Sequence, residues 1–113
     1  MKIAVLLAEG FEIAEAMCPA DVFRRAGLDT VLISVSDSKE VRSSCGIIVT
    51  ADKTINEAED EDFNAVFCPG GMPGSVNLSQ SWEAGRMIVK TAQSGIVAAI
   101  CAAPAAVLYP LGI

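Results

Sequence analysis

The residue best placed for chemistry is Cys101, which lies in the stretch VAAICAAP (residues 97–104). The apolar residues before it are long enough only for a short buried strand, and the residues after Pro104 favour a helix, because proline suits the first helical turn. Cys101 is therefore expected at a sharp strand-to-helix turn, with an alanine two residues away on either side. This is the small-x-nucleophile-x-small form of the nucleophile elbow, with sulfur in place of oxygen.

Two interpretations of Cys101 are open at this point. A cysteine at a helix N-terminus experiences the positive end of the helix dipole, which favours the reactive thiolate and predicts a nucleophile. A buried cysteine at a strand end, packed as a small hydrophobe, fits the same pattern. The chain contains no histidine, so it cannot form a Cys–His pair by itself, and any activating group must be another residue or another chain.

Carboxylates and glycines follow two other predicted strands. Glu9, Glu12 and Glu15 come after the first strand, and PGGMPGS (residues 69–75) comes after the third central strand. Ligands bind beyond the carboxyl ends of the strands in an open parallel sheet, so these loops and the turn at Cys101 converge if their strands are neighbours. The sequence thus predicts a thiol, carboxylates and backbone amides at one edge of the sheet.

The glycine loop at residues 69–75 also has two interpretations. It lacks the Lys-Ser/Thr pair of a phosphate loop and the spacing of a dinucleotide fingerprint, so by itself it is a plain turn. Beside a nucleophile, the N–H groups of Gly70 and Gly71 could bind a developing oxyanion. The N–H of Ala102, directly after Cys101, is the other natural donor.

The elements that would position these residues form one predicted α/β domain, residues 1–113. Apolar runs predict buried strands at residues 2–8, 28–35, 63–68 and 97–100. Residues 41–44 and 47–50 predict a small hairpin or an edge excursion. Helices are predicted up to Ala26 and over residues 54–62, 82–94 and 105–108. This alternation predicts a doubly wound, mostly parallel sheet with helices on both faces.

Local signals refine the predicted helix boundaries. Pro19 lies inside the first helical pattern and should start or kink the helix nearby, and Gly27 should end it. Thr54 begins a capping box with the acidic residue three positions later, and Ser79 or Ser81 should cap the next helix.

Composition narrows the class of protein. Of the 113 residues, 52% are hydrophobic, which predicts a packed globule. The net charge of −6, with Lys and Arg scattered, argues against a nucleic-acid partner. No apolar stretch reaches the length of a membrane span, and no signal peptide precedes the first apolar run. We therefore expect a cytoplasmic protein without a membrane partner.

The four cysteines, Cys18, Cys45, Cys68 and Cys101, lack CxxC spacing, and no histidine is present to complete a typical zinc set. We therefore expect free thiols in a reducing compartment, with no metal and no bound cofactor. Structural roles are expected for the first three cysteines.

Three separated motifs together resemble the DJ-1/ThiJ/PfpI superfamily. They are AEGFEIAE (residues 8–15), FCPGGMPGS (67–75) and AAICAAP (98–104), and they occur in collinear order over nearly the whole chain. The segment PADVFRRAG (19–27) also resembles the first helix of the DJ-1 branch. The resemblance implies a flavodoxin-like, doubly wound fold.

The resemblance also implies roles for individual residues. Cys101 matches the oxidisable nucleophile of the family, and Glu15 matches the glutamate whose protonated carboxyl hydrogen-bonds that sulfur. Gly70, Gly71 and Ala102 match the backbone donors beside it. A carboxyl next to a thiolate keeps its proton because two anions at contact repel, so it can donate to a thiolate or a sulfinate. On the residues alone, the alternative for Glu15 is a solvated carboxylate on a helix face.

The activity implied by the resemblance is that of a cysteine-dependent glyoxalase III-like enzyme or deglycase acting on reactive aldehydes such as methylglyoxal. Cys101 would be the nucleophile and Glu15 the proton shuttle. The alternative is a non-enzymatic oxidative-stress sensor or chaperone in which Cys101 is oxidised to sulfinate. A homodimer is also implied, with Cys18 at its interface if the first helices pair.

Two departures from the family pattern matter. The PfpI-type proteases place histidine directly after the nucleophile, where this chain has Ala102, and this argues against peptidase activity. Family domains also continue beyond the elbow helix with further strands and helices. We therefore expect a complementing C-terminal segment or chain, or an oligomer, to cover an apolar face that would otherwise be bare.

Overall fold

A parallel sheet forms the centre of the fold in a computed structural model that describes residues 1–113. The strands are β1 (Lys2–Leu7), β2 (Asp29–Ser34), β3 (Glu40–Arg42), β4 (Ile48–Thr50), β5 (Lys53–Thr54), β6 (Ala65–Cys68) and β7 (Ile96–Ala99). Five of them form the sheet in the order β5-β2-β1-β6-β7, and every neighbouring pair is parallel. The predicted doubly wound parallel sheet is confirmed, and β3 and β4 form the predicted antiparallel hairpin beside it.

The helices follow β1, β5, β6 and β7 along the chain. They are α1 (Ile13–Arg25), α2 (Ile55–Ala58), α3 (Gly74–Ser79), α4 (Trp82–Ala92) and a π-helical turn, here called the elbow helix (Pro104–Leu108), which a 3₁₀ turn (Tyr109–Leu111) extends. None of these helices combines the length and the apolar character that a bilayer crossing requires.

Apolar side chains cover both faces of the sheet. On one face, α1 and the hairpin pack against the strands through residues such as Ala16 and Val41. On the other face, α3, α4 and the elbow helix contribute residues such as Leu78, Ile88 and Val107. Burial on both faces explains why the central strands are continuous apolar runs rather than alternating ones.

The α1 helix continues through Pro19 instead of starting there, so that alternative of the prediction is wrong. Proline removes one helical hydrogen bond, but Ala16 and Ala20 on either side of it are buried against the sheet, and this packing keeps the helix continuous. Gly27 ends the helix as predicted, with a φ of +80°.

Two further helices differ from their predictions. The capping box at Thr54 is present, but α2 has four residues and ends well before residue 62. The chain turns there because the Glu61 carboxylate binds Lys2 and Lys53, the first residues of β1 and β5. The predicted glycine loop contains a helix that the sequence did not indicate, α3, whose first residue is Gly74. Ser81, one of the two predicted caps, accepts from the N–H of Ala84 and begins α4.

Candidate active site

Cys101 follows the end of β7 and precedes the elbow helix, in the expected strand-to-helix turn. Its φ is +60°, and it is the only residue other than glycine with a positive φ. A side chain in this left-handed region costs about 1–2 kcal/mol, so the surrounding structure must hold it there. The Cys101 side chain is exposed, which rules out the interpretation that it packs as a buried hydrophobe.

Gly70 is the residue that brings Cys101 and Glu15 together. It is buried directly after β6, and a Cβ placed on it would lie 2.5 Å from Glu15 Oε1 and 2.8 Å from Cys101 Cβ. Any side chain at this position would therefore collide with both residues. The Glu15 carboxyl and Cys101 border the same small space, which exists because residue 70 is glycine.

The Glu15 carboxyl is held in place by the backbone. Glu15 lies in the first turn of α1, is half-buried, and its Oε1 accepts a hydrogen bond of 3.0 Å from the Gly70 N–H. No hydrogen bond joins Glu15 to the sulfur of Cys101. The structure thus places the carboxyl beside the thiol and orients it through Gly70.

The candidate oxyanion donors divide into two groups. The Gly70 N–H is already engaged by Glu15. The N–H groups of Gly71 and Ala102 donate no hydrogen bond within the chain. Free backbone N–H groups beside a nucleophile are the kind of donor that stabilises a developing oxyanion. Of the three predicted donors, Gly71 and Ala102 therefore have N–H groups that are not engaged within the chain.

Glu9 and Glu12, the other two carboxylates that follow β1, bind the β3–β4 hairpin instead of bordering Cys101. Glu9 accepts a hydrogen bond of 2.9 Å from the N–H of Arg42, and Glu12 accepts one of 3.4 Å from the hydroxyl of Ser44. Both bonds attach the β3–β4 hairpin to the loop. Of the three carboxylates that follow β1, only Glu15 lies beside Cys101.

The remaining cysteines have different environments. Cys68 is fully buried at the end of β6, and this burial raises the pKa of its thiol to about 12. It is therefore inert and structural, as expected. Cys18 and Cys45 are exposed and free, so any structural role of these two does not come from burial in the core.

A surface groove of about 1030 Å³ lies elsewhere. It is bounded by residues 59–64, by α4 and by residues 110–111, and none of the site residues lines it. The chemistry-bearing groups instead gather at the carboxyl edge of β1, β6 and β7. This is where ligands bind in an open parallel α/β sheet.

The fold and site together define a class: flavodoxin-like α/β proteins with a cysteine at a nucleophile elbow, next to a carboxyl and a glycine loop. Comparison with known proteins gives the family. The model of the DJ-1/PfpI family matches residues 1–113, and the chain belongs to this family.

Individual relatives agree with this assignment. The chain is 35% identical over 110 residues to the Parkinson disease protein 7 homolog of Danio rerio, covering 95% of this chain and 58% of that protein. It is 42% identical over 71 residues to protein/nucleic acid deglycase 2 of Escherichia coli, covering 62% of this chain and 41% of that protein. It superposes on the oxidized DJ-1 of Toxoplasma gondii with a TM-score of 0.96 at 41% identity, covering 98% of this chain and 61% of that one. The chain spans about three fifths of the length of the first and third of these relatives.

Proposed function

We propose that the chain carries the cysteine site of a DJ-1-type enzyme that converts reactive aldehydes such as methylglyoxal, by glyoxalase III-like or deglycase chemistry. The observation that carries this proposal is the exposed Cys101 at the elbow, beside the oriented carboxyl of Glu15 and the free N–H groups of Gly71 and Ala102. A similar relative named a protein/nucleic acid deglycase supports this class of reaction.

The proposed reaction begins when the Cys101 thiolate adds to the aldehyde carbon, forming a C–S bond while the carbonyl electrons move to oxygen. The resulting alkoxide accepts hydrogen bonds from the N–H groups of Gly71 and Ala102. Glu15 then removes the proton from the carbon that bears sulfur, which gives an enediolate, and returns it to the neighbouring carbon. The oxygen on that neighbouring carbon takes a proton from solvent, and the product is a 2-hydroxy thioester. Water displaces the thiol from the resulting thioester, so one dicarbonyl and one water give one hydroxy acid without an external oxidant.

The Gly70 N–H has a supporting role in this scheme. Its hydrogen bond fixes one oxygen of Glu15, and this leaves the second oxygen for the proton transfer. A general base held by a backbone donor is already oriented before the substrate arrives, which lowers the entropy that must be lost in the transition state.

The test is turnover of methylglyoxal by the wild-type chain and by Cys101→Ser, Glu15→Gln and Cys45→Ser. We expect Cys101→Ser to reduce turnover to background and Glu15→Gln to lower it by about 10²–10⁴-fold, the range of a lost acid–base group. Cys45→Ser, the matched control at another exposed cysteine, should retain full activity. Undiminished turnover by Cys101→Ser would refute the proposal.

A redox sensor in which Cys101 is oxidised to sulfinate is the second candidate function. The exposure of Cys101 favours it, and the similar Toxoplasma gondii protein is described as oxidized. Limiting hydrogen peroxide followed by peptide mass spectrometry distinguishes the two functions. Selective gain of two oxygens at Cys101, together with negligible aldehyde turnover, would favour the sensor.

We further propose a homodimer formed through α1 and the β3–β4 hairpin. These elements lie on the same face of the sheet and expose Val22, Ile47 and Ile48, with Cys18 on the same helix. Exposed aliphatic residues grouped on one surface are typical of an interface.

We also propose that a complementing segment or chain pairs with β7. This strand is at the edge of the sheet, contains no charged residue, and exposes Ile96 at its start. An edge strand without charges or proline is a template for pairing with another strand. Intact mass spectrometry and light scattering of the purified sample test the proposal, and a single monomeric species of this chain alone would contradict it.

A further inference from the structure

We propose that Asn77 is a positioning residue for the Cys101 site. Its side chain clamps α3 to the loop that leads from β1 into α1, the helix that carries Glu15. This inference rests on the proposed aldehyde chemistry at Cys101, but Asn77 belongs neither to the motif residues that suggested that chemistry nor to the groups around the thiol.

Four hydrogen bonds join residues 9–15 to residues 70–77. This set of bonds, here called the loop pairing, begins at Asn77 and ends at Gly70. The donors and acceptors are Asn77 Nδ2 to Glu9 O (2.7 Å), Gly74 N to Gly10 O (3.2 Å), Glu12 N to Gly70 O (3.0 Å) and Gly70 N to Glu15 Oε1 (3.0 Å). The last bond orients the proposed proton shuttle. Asn77 therefore lies at one end of the loop pairing, and the bond that positions Glu15 lies at the other end.

The two backbones of the loop pairing are in close contact between its two ends. A Cβ on Gly71 would lie 2.4 Å from the backbone N of Glu12, and a Cβ on Gly74 would lie 2.6 Å from the N and Cα of Phe11. The two backbones are thus in direct contact along the whole pairing. Tightly packed groups move together, so a shift of α3 displaces Gly70 and Gly71 relative to Cys101.

Asn77 is the point at which this pairing depends on a side chain of α3. The other bonds use backbone groups of the glycine loop, whereas the Glu9 carbonyl is held by the Asn77 amide. The α3 helix has six residues, follows Pro73 and has no side-chain cap. A helix this short has little stability of its own, so its tertiary contacts set its position.

The substitution that tests this inference is Asn77→Asp in the full chain. The aspartate has nearly the same shape, but it places an acceptor oxygen against the acceptor Glu9 carbonyl, so the 2.7 Å hydrogen bond becomes a repulsion. We expect kcat for methylglyoxal to fall by about 3- to 10-fold, the effect of one lost hydrogen bond, with a smaller change in KM. Gln80→Glu is the matched control, because it adds the same charge at the end of α3 without altering the loop pairing.

A second measurement does not need turnover. The rate of Cys101 alkylation by iodoacetamide is followed against pH, with Cys45→Ser and Cys18→Ser as the background so that only one exposed thiol reacts. We expect Asn77→Asp to shift this profile, since Glu15 and the Gly71 N–H move relative to the sulfur, and Gln80→Glu to leave it unchanged. A merely structural role for Asn77 would lower the thermal midpoint without moving the profile.

The outcomes separate the two proposals. If the wild-type chain fails to turn over aldehydes, the proposed function fails, while a shifted alkylation profile in Asn77→Asp still supports the positioning role. If Asn77→Asp matches the wild type in both kcat and alkylation profile, or changes only the thermal midpoint, the positioning role is refuted. If Asn77→Asp does not fold, Asn77→Ser, which keeps a small donor without adding charge, decides by the same two readouts.

Discussion

Cys101 owes its exposure to a backbone conformation that its own side chain disfavours. The positive φ turns the chain sharply between β7 and the elbow helix, so the sulfur projects from the edge of the sheet instead of into the core. Strain of this kind is tolerated where the surrounding packing enforces it, and it is concentrated at functional sites. The contrast with Cys68 is instructive, because that cysteine ends the neighbouring strand in ordinary conformation and is fully buried.

Gly70 is the residue at which one added methyl group would disturb both Glu15 and Cys101. In Gly70→Ala the new Cβ would lie 2.5 Å from Glu15 Oε1, 2.8 Å from Cys101 Cβ and 2.9 Å from Ile100 O. At least two of these groups must move. We expect a stability loss of about 1–3 kcal/mol, typical of overpacking, and a fall in aldehyde turnover of about 100-fold.

The control for this substitution is Gly85→Ala, inside α4. A Cβ there would approach only Leu111 Cδ2, at 3.4 Å, so we expect unchanged turnover and a stability gain of about 0.5–1 kcal/mol from improved helix propensity. Urea unfolding and methylglyoxal turnover check both variants. A Gly70→Ala chain with wild-type turnover would mean that Glu15 and Cys101 do not need their observed separation.

At the scale of elements, an ion pair cluster ties β1 and β5 to the segment that precedes β6. The Glu61 carboxylate binds the ammonium groups of Lys2 on β1 and Lys53 on β5, the latter at 2.6 Å. These two hydrogen bonds hold the pKa of Glu61 below its ordinary value of 4.5. A carboxyl with a lowered pKa in the folded state adds stability above its ordinary pKa, and that stability is lost as the pH falls through the folded value.

We therefore expect Glu61→Gln to destabilise the chain at pH 7 and to have a smaller effect at pH 3, because the contribution of the carboxylate declines as the pH falls towards its lowered folded pKa. Urea unfolding at the two pH values measures this difference. The control is Glu40→Gln, which removes a carboxylate that forms no ion pair and should have the same small effect at both pH values. A Glu61→Gln penalty that is equal at pH 7 and pH 3 would show that the carboxylate charge does not stabilise these three elements.

The elements also show what the sequence could and could not predict. The continuous apolar run of β1 and the capping box at Thr54 are local patterns, and both were predicted correctly. The α3 helix was not, because Gly70, Gly71 and Gly74 resemble a flexible loop in sequence. Their close contacts with residues 10–15 show that these glycines serve backbone approach instead, and such contacts depend on a distant segment.

The same limit applies to the site. The convergence of three loops was predicted on the condition that their strands are neighbours, and β1, β6 and β7 are neighbours in the sheet. The different partners of the three carboxylates could not be predicted from the sequence. Glu9 accepts a hydrogen bond from Arg42, Glu12 accepts one from Ser44, and Glu15 accepts one from Gly70. No spacing along the chain encodes these partners.

For the whole molecule, the two exposed apolar surfaces lie on different elements and predict two different kinds of association. The first comprises α1 and the β3–β4 hairpin, proposed above as a dimer interface. The second is the free edge of β7, proposed above as the docking edge for a complementing strand. Ile47 and Ile96 are comparable probes of the two surfaces, because they are 53% and 55% exposed, respectively.

We expect Ile47→Lys to convert the proposed dimer to a monomer, because a charge in an isologous interface faces its own copy. Ile96→Lys should instead leave the dimer intact and abolish pairing at β7, since lysine on an edge strand blocks strand addition. Light scattering coupled to size-exclusion chromatography measures the dimer, and intact mass spectrometry of the co-purifying material measures the β7 partner. Dissociation of the dimer by Ile96→Lys but not by Ile47→Lys would reverse the assignment, placing the self-association at the edge of the sheet instead of on α1 and the hairpin.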